Sequence, residues 1–104
     1  MRGMQETERA LKVRVYRNAD PTFFGKDVVV NRRQTRSLPA LLNALPPLLG
    51  MQAEQVHALV TPRGGTEVSH LGDLEDRREY VAVSPRRRFK DIGYVVSLEA
   101  GSMK

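Results

Sequence analysis

The sequence has no cysteine, no tryptophan and no long apolar run. Without cysteine the chain cannot form disulfide bonds, a thiolate zinc site or a cysteine nucleophile. Hydrophobic residues make up 40% of the 104 residues, but their runs are too short to cross a membrane. The first ten residues mix charges of both signs and contain no apolar stretch, which is not typical of a secretory signal. We therefore expect one soluble, cytoplasmic, globular domain.

Basic residues outnumber acidic ones. Seventeen Lys and Arg against twelve Asp and Glu give a formal net charge of +5, and thirteen of the seventeen are Arg. The guanidinium group forms forked contacts with carboxylates and phosphates. The composition therefore indicates an acidic partner, but it does not distinguish a protein polymer from nucleic acid or an anionic membrane.

Apolar residues that alternate along short segments predict five strands. These lie at residues 11–18, 28–30, 56–61, 66–68 and 80–83. Turn-forming residues separate the first two strands and also the third and fourth, so each pair is expected to form a hairpin. One helical turn is expected at residues 71–74.

One helix is predicted between the second and third strands. Ser37 is placed to cap it, and leucines recur at intervals of three and four residues at positions 38, 41, 42, 45 and 49. Pro46 and Pro47 remove two amide donors and crowd the preceding carbonyl groups. We therefore expect the regular helix to stop or kink near Leu45, with a distorted turn that ends at Gly50.

This order of elements predicts an α+β fold, a ubiquitin-like β-grasp in which a mixed sheet of about five strands carries one main helix. We expect the domain to span residues 11–95, with tails at 1–10 and 96–104. The first and fifth strands should be central neighbours whose valines face the helix. The predicted core includes Val13, Val15, Leu38, Leu42, Leu45 and Val81.

Two groups of basic residues stand out. The first basic cluster lies between the second strand and the helix and consists of Arg32, Arg33 and Arg36. The second basic cluster follows the last strand and consists of Arg86, Arg87, Arg88 and Lys90. Either group can attract an acidic surface and grip its carboxylates, although basic runs are often only solvated loops.

No enzymatic centre, cofactor or metal site is predicted. His57 and His70 lie thirteen residues apart with no third ligand or orienting group nearby. The Gly-Lys pair at 25–26 lacks the upstream glycine and the following hydroxyl group of a phosphate-binding loop. The diglycine at 64–65 is internal, so the chain is not expected to be conjugated like ubiquitin.

Several motifs, spaced in a constant order through residues 12–94, resemble one known family. They are Val13-Arg14-Val15-Tyr16-Arg17-Asn18-Ala19-Asp20, Gly25-Lys26 before Val28-Val29-Val30-Asn31, Ser37-Leu38 with Leu41-Leu42 and Leu45, Thr61-Pro62-Arg63-Gly64, Leu71 with Leu74, and Tyr80-Val81-Ala82 followed by Phe89-Lys90 and Tyr94. Together they resemble the doublecortin domain, and the last motif is most similar to the branch named doublecortin-domain-containing proteins.

The resemblance implies a ubiquitin-like fold that binds and stabilises microtubules by docking between protofilaments, with some members acting in cilia or as signalling scaffolds. It therefore makes tubulin the expected partner of both basic clusters. Arg17 and Lys26 are second-rank contact candidates, since each can equally be structural or solvated. Asp20 is expected to fix its own loop. The isolated domain is expected to be a monomer on the cytoskeleton or ciliary axoneme.

The sequence departs from the family pattern at two places. Ala19 stands where the family usually has glycine, so a positive φ at this position would be strained. Pro46 and Pro47 stand where the family usually continues the helix with a threonine-containing turn. The main alternative is a protein interaction module for signalling or ciliary partners, whose binding would depend less on salt. Nucleic-acid binding is disfavoured, because few aromatic residues are present to stack on bases.

Overall fold

The structure, a computed structural model, describes residues 10–51 and 54–94. The expected tails at 1–10 and 96–104 lie outside these residues, except for Ala10. The elements are β1 (Leu11–Arg17), β2 (Lys26–Val30), α1 (Leu38–Leu48), β3 (Ala58–Val60), a 3₁₀ turn (Leu71–Asp73) and β4 (Glu79–Val83). No helix within the described ranges is long and apolar enough to span a membrane.

The four strands form one mixed sheet in the order β2-β1-β4-β3. β1 is antiparallel to β2 and parallel to β4, and β3 is antiparallel to β4. β1 and β4 are thus the central neighbours, as the sequence predicted. With one helix on this sheet, the α+β class is confirmed, although the sheet has four strands rather than about five.

The strand predicted at residues 66–68 is reduced to a single antiparallel bridge between Glu67 and Val60. Two backbone hydrogen bonds flank this bridge, from the Thr61 amide to the Thr66 carbonyl at 2.9 Å and from the Val68 amide to the Leu59 carbonyl at 2.8 Å. Gly64 and Gly65 both have positive φ and turn the chain back onto β3. Val68 is then buried in the core, while the next residues leave the sheet for the 3₁₀ turn. The segment therefore pairs with β3 as expected of a hairpin, but it is too short to count as a fifth strand.

Helix α1 does not stop near Leu45, so that part of the prediction is wrong. It starts at the expected cap, where Ser37 Oγ accepts a hydrogen bond from the Ala40 amide at 3.2 Å, and it runs through Pro46 and Pro47 to Leu48. Each proline costs an amide hydrogen bond. The extra turn, however, carries Leu49 to a position where only 1% of its surface is exposed. Burial of this leucine in the main core offsets part of the cost of the two prolines.

The turn after α1 ends at Gly50, as predicted. Gly50 has a φ of 71°, and its amide donates to the Pro47 carbonyl at 3.4 Å. The Met51 amide donates to the Pro46 carbonyl at 2.8 Å. These two bonds form a Schellman motif, which satisfies carbonyl groups at the helix end. The carbonyl groups of both prolines are thus used even though their nitrogens are not donors.

The main core lies between α1 and one face of the sheet. Among its buried residues, Val13, Val15 and Leu45 were predicted. Leu38 and Leu42, also predicted, are only partly buried, whereas Leu41 and Leu49 are fully buried. The helix is thus rotated so that positions 41, 45 and 49 point to the sheet.

A second core lies on the opposite face of the sheet. The valines of β4, Val81 and Val83, are buried there, so the expectation that they face the helix is wrong. Tyr80 and Ala82 face the helix instead. The second face is covered by the segment after β4, which contributes Phe89, Ile92 and Tyr94. β4 is therefore buried on both faces, which explains its continuous apolar sequence.

Candidate binding surface

The second basic cluster lies in the segment that follows β4. The side chains of Arg86, Arg87, Arg88 and Lys90 are all exposed. Within the described part of the chain, no carboxylate pairs with any of these four cations. Their charge therefore faces outward and is open to an acidic partner.

Asn18 fixes the backbone of the second basic cluster. Its side-chain amide donates to the Arg88 carbonyl at 2.7 Å, and its side-chain oxygen accepts from the Lys90 amide at 2.9 Å. Asn18 is only 8% exposed and lies at the end of β1. Because both bonds are to backbone atoms, they hold the path of residues 88–90 while leaving the basic side chains in solvent.

Tyr94 completes this clamp. Its hydroxyl donates to the Lys90 carbonyl at 2.6 Å and accepts from the Ala19 amide at 2.8 Å. Its ring packs against Tyr16 and Phe89, with centroid separations of 5.5 and 6.3 Å. Burial raises the pKa of the Tyr94 hydroxyl above its ordinary value. The hydroxyl therefore stays protonated and able to donate at neutral pH.

The first basic cluster lies at the other end of the sheet. β2 runs antiparallel to β1, so the chain leaves β2 beside Leu11, where β1 begins. The second basic cluster follows the opposite end, where β1 and β4 finish. The two ends are separated by the length of β1, about 20 Å at the usual rise per residue. The fold thus does not bring the two clusters together.

Of the two second-rank candidates, Lys26 is exposed at the start of β2, beside Val15 near the end of β1. It therefore shares the end of the sheet that carries the second basic cluster. No side-chain partner holds it within residues 10–51 and 54–94.

Arg17, in contrast, is used inside the domain. Its guanidinium pairs with Asp20 at 2.5 Å and donates to the Leu49 carbonyl at 3.2 Å. It also lies 4.3 Å from the centre of the Phe23 ring. These contacts join the end of β1 to the end of α1 and to the loop that follows β1. The tubulin contact expected of Arg17 stays a prediction, and its contacts favour a structural role.

Asp20 fixes the loop after β1. Its carboxylate accepts hydrogen bonds from the Thr22 amide and hydroxyl, at 3.1 and 2.7 Å, in addition to its pair with Arg17. The hydrogen bonds from Thr22, with a smaller contribution from Arg17, lower the pKa of Asp20 below its ordinary value. The structural role predicted for Asp20 agrees with these contacts.

The sequence interpretation missed the clamp. Asn18 and Tyr94 were noticed only as parts of motifs, because 76 residues separate them and no local pattern links their side chains. The one available signal was a polar residue at the end of a buried strand, where an amide side chain needs partners. Ala19, whose amide binds Tyr94, has a φ of 61° and so adopts the strained conformation expected of a residue that replaces glycine.

An aromatic groove adjoins this end of the sheet. It has a volume of about 440 Å³ and is lined by Tyr16, Phe23, Phe24, Ile92 and Tyr94, among others. Phe24 is 75% exposed at its rim. A groove of this kind can hold one apolar side chain of a partner.

A family model described as Doublecortin matches residues 29–89. The chain belongs to the doublecortin domain family. Members of this family generally bind microtubules. The sequence-based identification of the family, made from spaced motifs, is therefore confirmed.

Curated relatives agree with this assignment. Human doublecortin domain-containing protein 2C is 37% identical over 90 residues, which are 86% of this chain and 24% of that protein. Mouse doublecortin domain-containing protein 2 is 35% identical over 94 residues, 88% of this chain and 18% of that protein. Mouse oxygen-regulated protein 1 is 36% identical over 72 residues, 69% of this chain and 3% of that protein. The chain thus spans less than a quarter of the length of these relatives.

Among solved structures, the crystal structure of cell death-inducing DFFA-like effector c superposes with a TM-score of 0.61. The match covers 79% of this chain and 99% of the other, at 21% identity. At this identity the likeness shows a shared fold alone. It agrees with the ubiquitin-like β-grasp of the doublecortin domain.

Proposed function

We propose that this doublecortin domain binds the microtubule lattice and stabilises it, with the second basic cluster as its main contact. The observation that carries the proposal is the clamp. Asn18 and Tyr94 fix the backbone at residues 88–90, and the exposed basic side chains of this segment pair with no carboxylate among the residues that the structure describes. A fixed backbone lowers the entropy that the segment loses on binding. The cluster is therefore preorganised to bind a rigid acidic surface.

The chemistry of the contact follows from the residue types. Three of the four cations are arginines, whose forked donors match the two oxygens of a carboxylate. Because the side chains remain solvated until the partner arrives, the attraction is screened by salt. Binding should therefore weaken steadily as the salt concentration rises.

The positions of the two clusters on the sheet indicate which residues share the main contact and which form a secondary one. Lys26 shares the end of the sheet with the second basic cluster, so it belongs to the same proposed face. The first basic cluster is about 20 Å away along the strands. It therefore contacts a separate acidic region of the lattice, if both clusters bind at once, and is the weaker determinant in this proposal.

Co-sedimentation with stabilised microtubules, at low and at near-physiological salt, tests the proposal. Three variants carry the same change in net charge. The first replaces Arg86, Arg87 and Arg88 by Glu, and the second replaces Arg32, Arg33 and Arg36 by Glu. The control replaces Arg63, in the turn after β3, and Arg77 and Arg78, directly before β4, by Glu. Circular dichroism verifies that each variant is folded. Since the charge change is matched, differences between the variants report position rather than overall charge.

We expect the wild type to bind saturably, and the first variant to lose most of that binding. The second should lose less, and the control should lose least. A folded wild type that stays in the supernatant at low salt would refute binding by this single domain. Equal losses in all three variants would show that binding depends on net charge and would refute the assigned face.

The aromatic groove favours a second candidate function, a protein interaction module in a signalling or ciliary scaffold. Phe24 at its rim is the exposed apolar residue around which such an interface would centre. In that case Phe24→Ala, and not the loss of the arginines, would abolish binding. For either function we propose a location at the cytoskeleton in the cytoplasm, including the ciliary axoneme.

A further inference from the structure

The outer edge of β2 is open. Within the described part of the chain, β2 pairs with β1 on one side and with no strand on the other. The direction of the β1 backbone groups is fixed by two hydrogen bonds. The Arg14 amide donates to the Arg78 carbonyl at 3.0 Å, and the Lys12 carbonyl accepts from the Arg77 amide at 2.7 Å. The backbone groups of Lys12 and Arg14 thus point to the β4 side of β1, away from β2.

Two residues of β2 carry the open backbone groups. Directly opposite residues of an antiparallel pair either bond to each other or both point away from each other. Val29 lies opposite Lys12, and Asp27 lies opposite Arg14. The amides and carbonyls of Asp27 and Val29 therefore point outward from the sheet. These four groups have no hydrogen-bond partner among the residues that the structure describes.

The sequence of β2 does little to protect this edge. Edge strands are commonly protected by proline, by a bulge or by charged side chains along the strand. β2 contains no proline, and its register with β1 runs without a break from Lys26 to Val30. Its charged residues, Lys26 and Asp27, lie at its start, and the side chain of Val29 is 64% exposed. An added strand would therefore meet an apolar side chain beside open backbone groups.

The charge around this edge is positive. Asp27 pairs with Arg14 at 2.9 Å and with Lys12 at 3.7 Å, so its negative charge is balanced inside the domain. Lys26 at the start of β2 and Arg32 just past its end are both exposed. Neither pairs with a carboxylate in the part of the chain that the structure describes. A strand that joins the edge therefore meets one unbalanced cation near each of its ends.

We propose that the β2 edge binds an extended segment of a partner protein, apolar at its centre and acidic at both ends, as an added antiparallel strand. The outward groups of Asp27 and Val29 supply four backbone hydrogen bonds, which give strand addition its affinity. An apolar partner residue covers Val29, and acidic residues pair with Lys26 and Arg32. The antiparallel direction follows from its slightly more stable pairing. This inference goes beyond the proposed function, and its test needs no microtubules.

A second copy of the chain fits this edge less well than an acidic segment. It would bring another Lys26 and another Arg32 to an edge that already carries both, and each copy has a formal net charge of +5. Like charges brought together at an interface oppose association. The charge of the edge thus selects an acidic occupant.

The probe is the capped synthetic peptide Glu-Ser-Val-Ile-Val-Thr-Glu. In the antiparallel register its first Glu lies opposite Arg32, its Ile opposite Val29 and its last Glu opposite Lys26. The peptide is titrated into the isotope-labelled chain, and amide hydrogen exchange is followed by NMR spectroscopy. We expect the amides of Asp27 and Val29 to become protected from exchange. Binding without protection of these two amides would overturn the proposed strand.

Two N-methylated forms of the peptide are matched controls. One carries methyl groups on the nitrogens of Ile and Thr, whose amides would donate to the carbonyls of Val29 and Asp27. The other carries them on the nitrogens of the two Val residues, whose amides would point away from β2. We expect the first form to lose binding and the second to keep it. Equal weakening of both forms, or a loss confined to the second, would overturn the assigned register.

Variants of the chain test the edge from the other side. Val29→Pro removes an outward amide that β1 does not use, so it should remain folded and weaken binding at least about tenfold. If this variant does not fold, the N-methylated peptides still decide with the unaltered chain. Replacing Lys26 and Arg32 together by Gln should weaken binding about two- to tenfold. Unchanged binding there would overturn the acidic ends of the partner.

The same exchange measurement examines the second copy. Without peptide, the amides of Asp27 and Val29 should exchange equally fast at low and high concentrations of the chain. Protection that grows with chain concentration would show that a second copy occupies the edge, and it would overturn the acidic segment as the occupant.

Discussion

Ala19 offers a quantitative test of the conformation after β1. It is one of two non-glycine residues with positive φ in the described chain, at 61°. Its amide is held by the Tyr94 hydroxyl at 2.8 Å, so the tertiary structure fixes this conformation. Replacing Ala19 by glycine removes the methyl group that clashes with the backbone there and leaves the hydrogen bond in place.

The expected gain is a difference of two effects. A left-handed residue with a Cβ atom costs about 1 to 2 kcal/mol. Glycine costs about 0.5 to 1 kcal/mol through the greater freedom of the unfolded chain. Ala19→Gly should therefore raise the free energy of unfolding by about 0.5 to 1 kcal/mol, which corresponds to a Tm higher by about 2 to 8 °C.

Two glycines provide matched controls with the opposite sign. Gly50 has a φ of 71°, and an added Cβ would meet Arg17 only at an ordinary 3.5 Å. Gly64 has a φ of 81°, and an added Cβ would meet nothing within 4 Å. Gly50→Ala and Gly64→Ala thus add backbone strain without a steric clash. Each should lower stability by about 0.5 to 1 kcal/mol or somewhat more.

The assay is urea unfolding followed by circular dichroism, with the m-value verified as unchanged between variants. The reasoning requires opposite signs, a gain for Ala19→Gly and a loss for both glycine replacements. If Ala19→Gly were less stable than wild type while Gly50→Ala and Gly64→Ala lost stability as expected, Ala19 would not be strained. The αL conformation after β1 would then be wrong.

Three further predictions concern packing and pH. Leu45→Ala should cost about 2 to 5 kcal/mol in urea unfolding, whereas Leu48→Ala, at a site 47% exposed, should cost only about 0.5; equal losses would contradict the observed rotation of α1. Asp20 has a lowered pKa, so its carboxylate stabilises the fold above its ordinary pKa and that contribution disappears as the pH falls through the lowered value. Asp20→Asn should therefore be less stable than wild type at neutral pH, and its stability should fall less than that of wild type between neutral and acid pH. Urea unfolding at both pH values measures this. A fall as large as that of wild type would speak against these contacts. Tyr94 has a raised pKa, so its contribution is complete below the ordinary tyrosine pKa and disappears as the pH rises through the raised value. Tyr94→Phe should lower the free energy of unfolding by about 1 to 3 kcal/mol at neutral pH. Between neutral and alkaline pH the variant should lose less stability than wild type does. An unchanged free energy of unfolding at neutral pH would show that the clamp adds nothing to stability.

The sequence indicated most elements because their signals are local. Alternation along β1 follows from a strand with one face in the core, and the leucine spacing of α1 follows from one buried helix face. The cap at Ser37 and the turn at Gly50 are likewise set by backbone chemistry within a few residues. These features do not depend on what lies across the molecule, so they are visible before the fold is known.

The site was only partly visible in the sequence. Its basic residues could be named because charge clusters are visible in the sequence itself. The distance between the two basic clusters in the fold could not be predicted in this way. That separation depends on β2 running antiparallel to β1 while β4 runs parallel to it. Arg17 was a second-rank contact candidate that could equally be structural, and only the structure shows that its guanidinium joins Asp20 and the Leu49 carbonyl.

By itself, then, the sequence determined the class of fold, the family, the helix start and the positions of the basic residues. The tertiary structure decided the length of α1, the face on which Val81 lies and the Asn18–Tyr94 clamp. The reason in each case is energy from residues distant in sequence. Leu45 and Leu49 pack into the main core on either side of the two prolines, and a second apolar layer covers the far face of β4. Hydrogen bonds between residues 70 and 72 positions apart then fix the path of the second basic cluster.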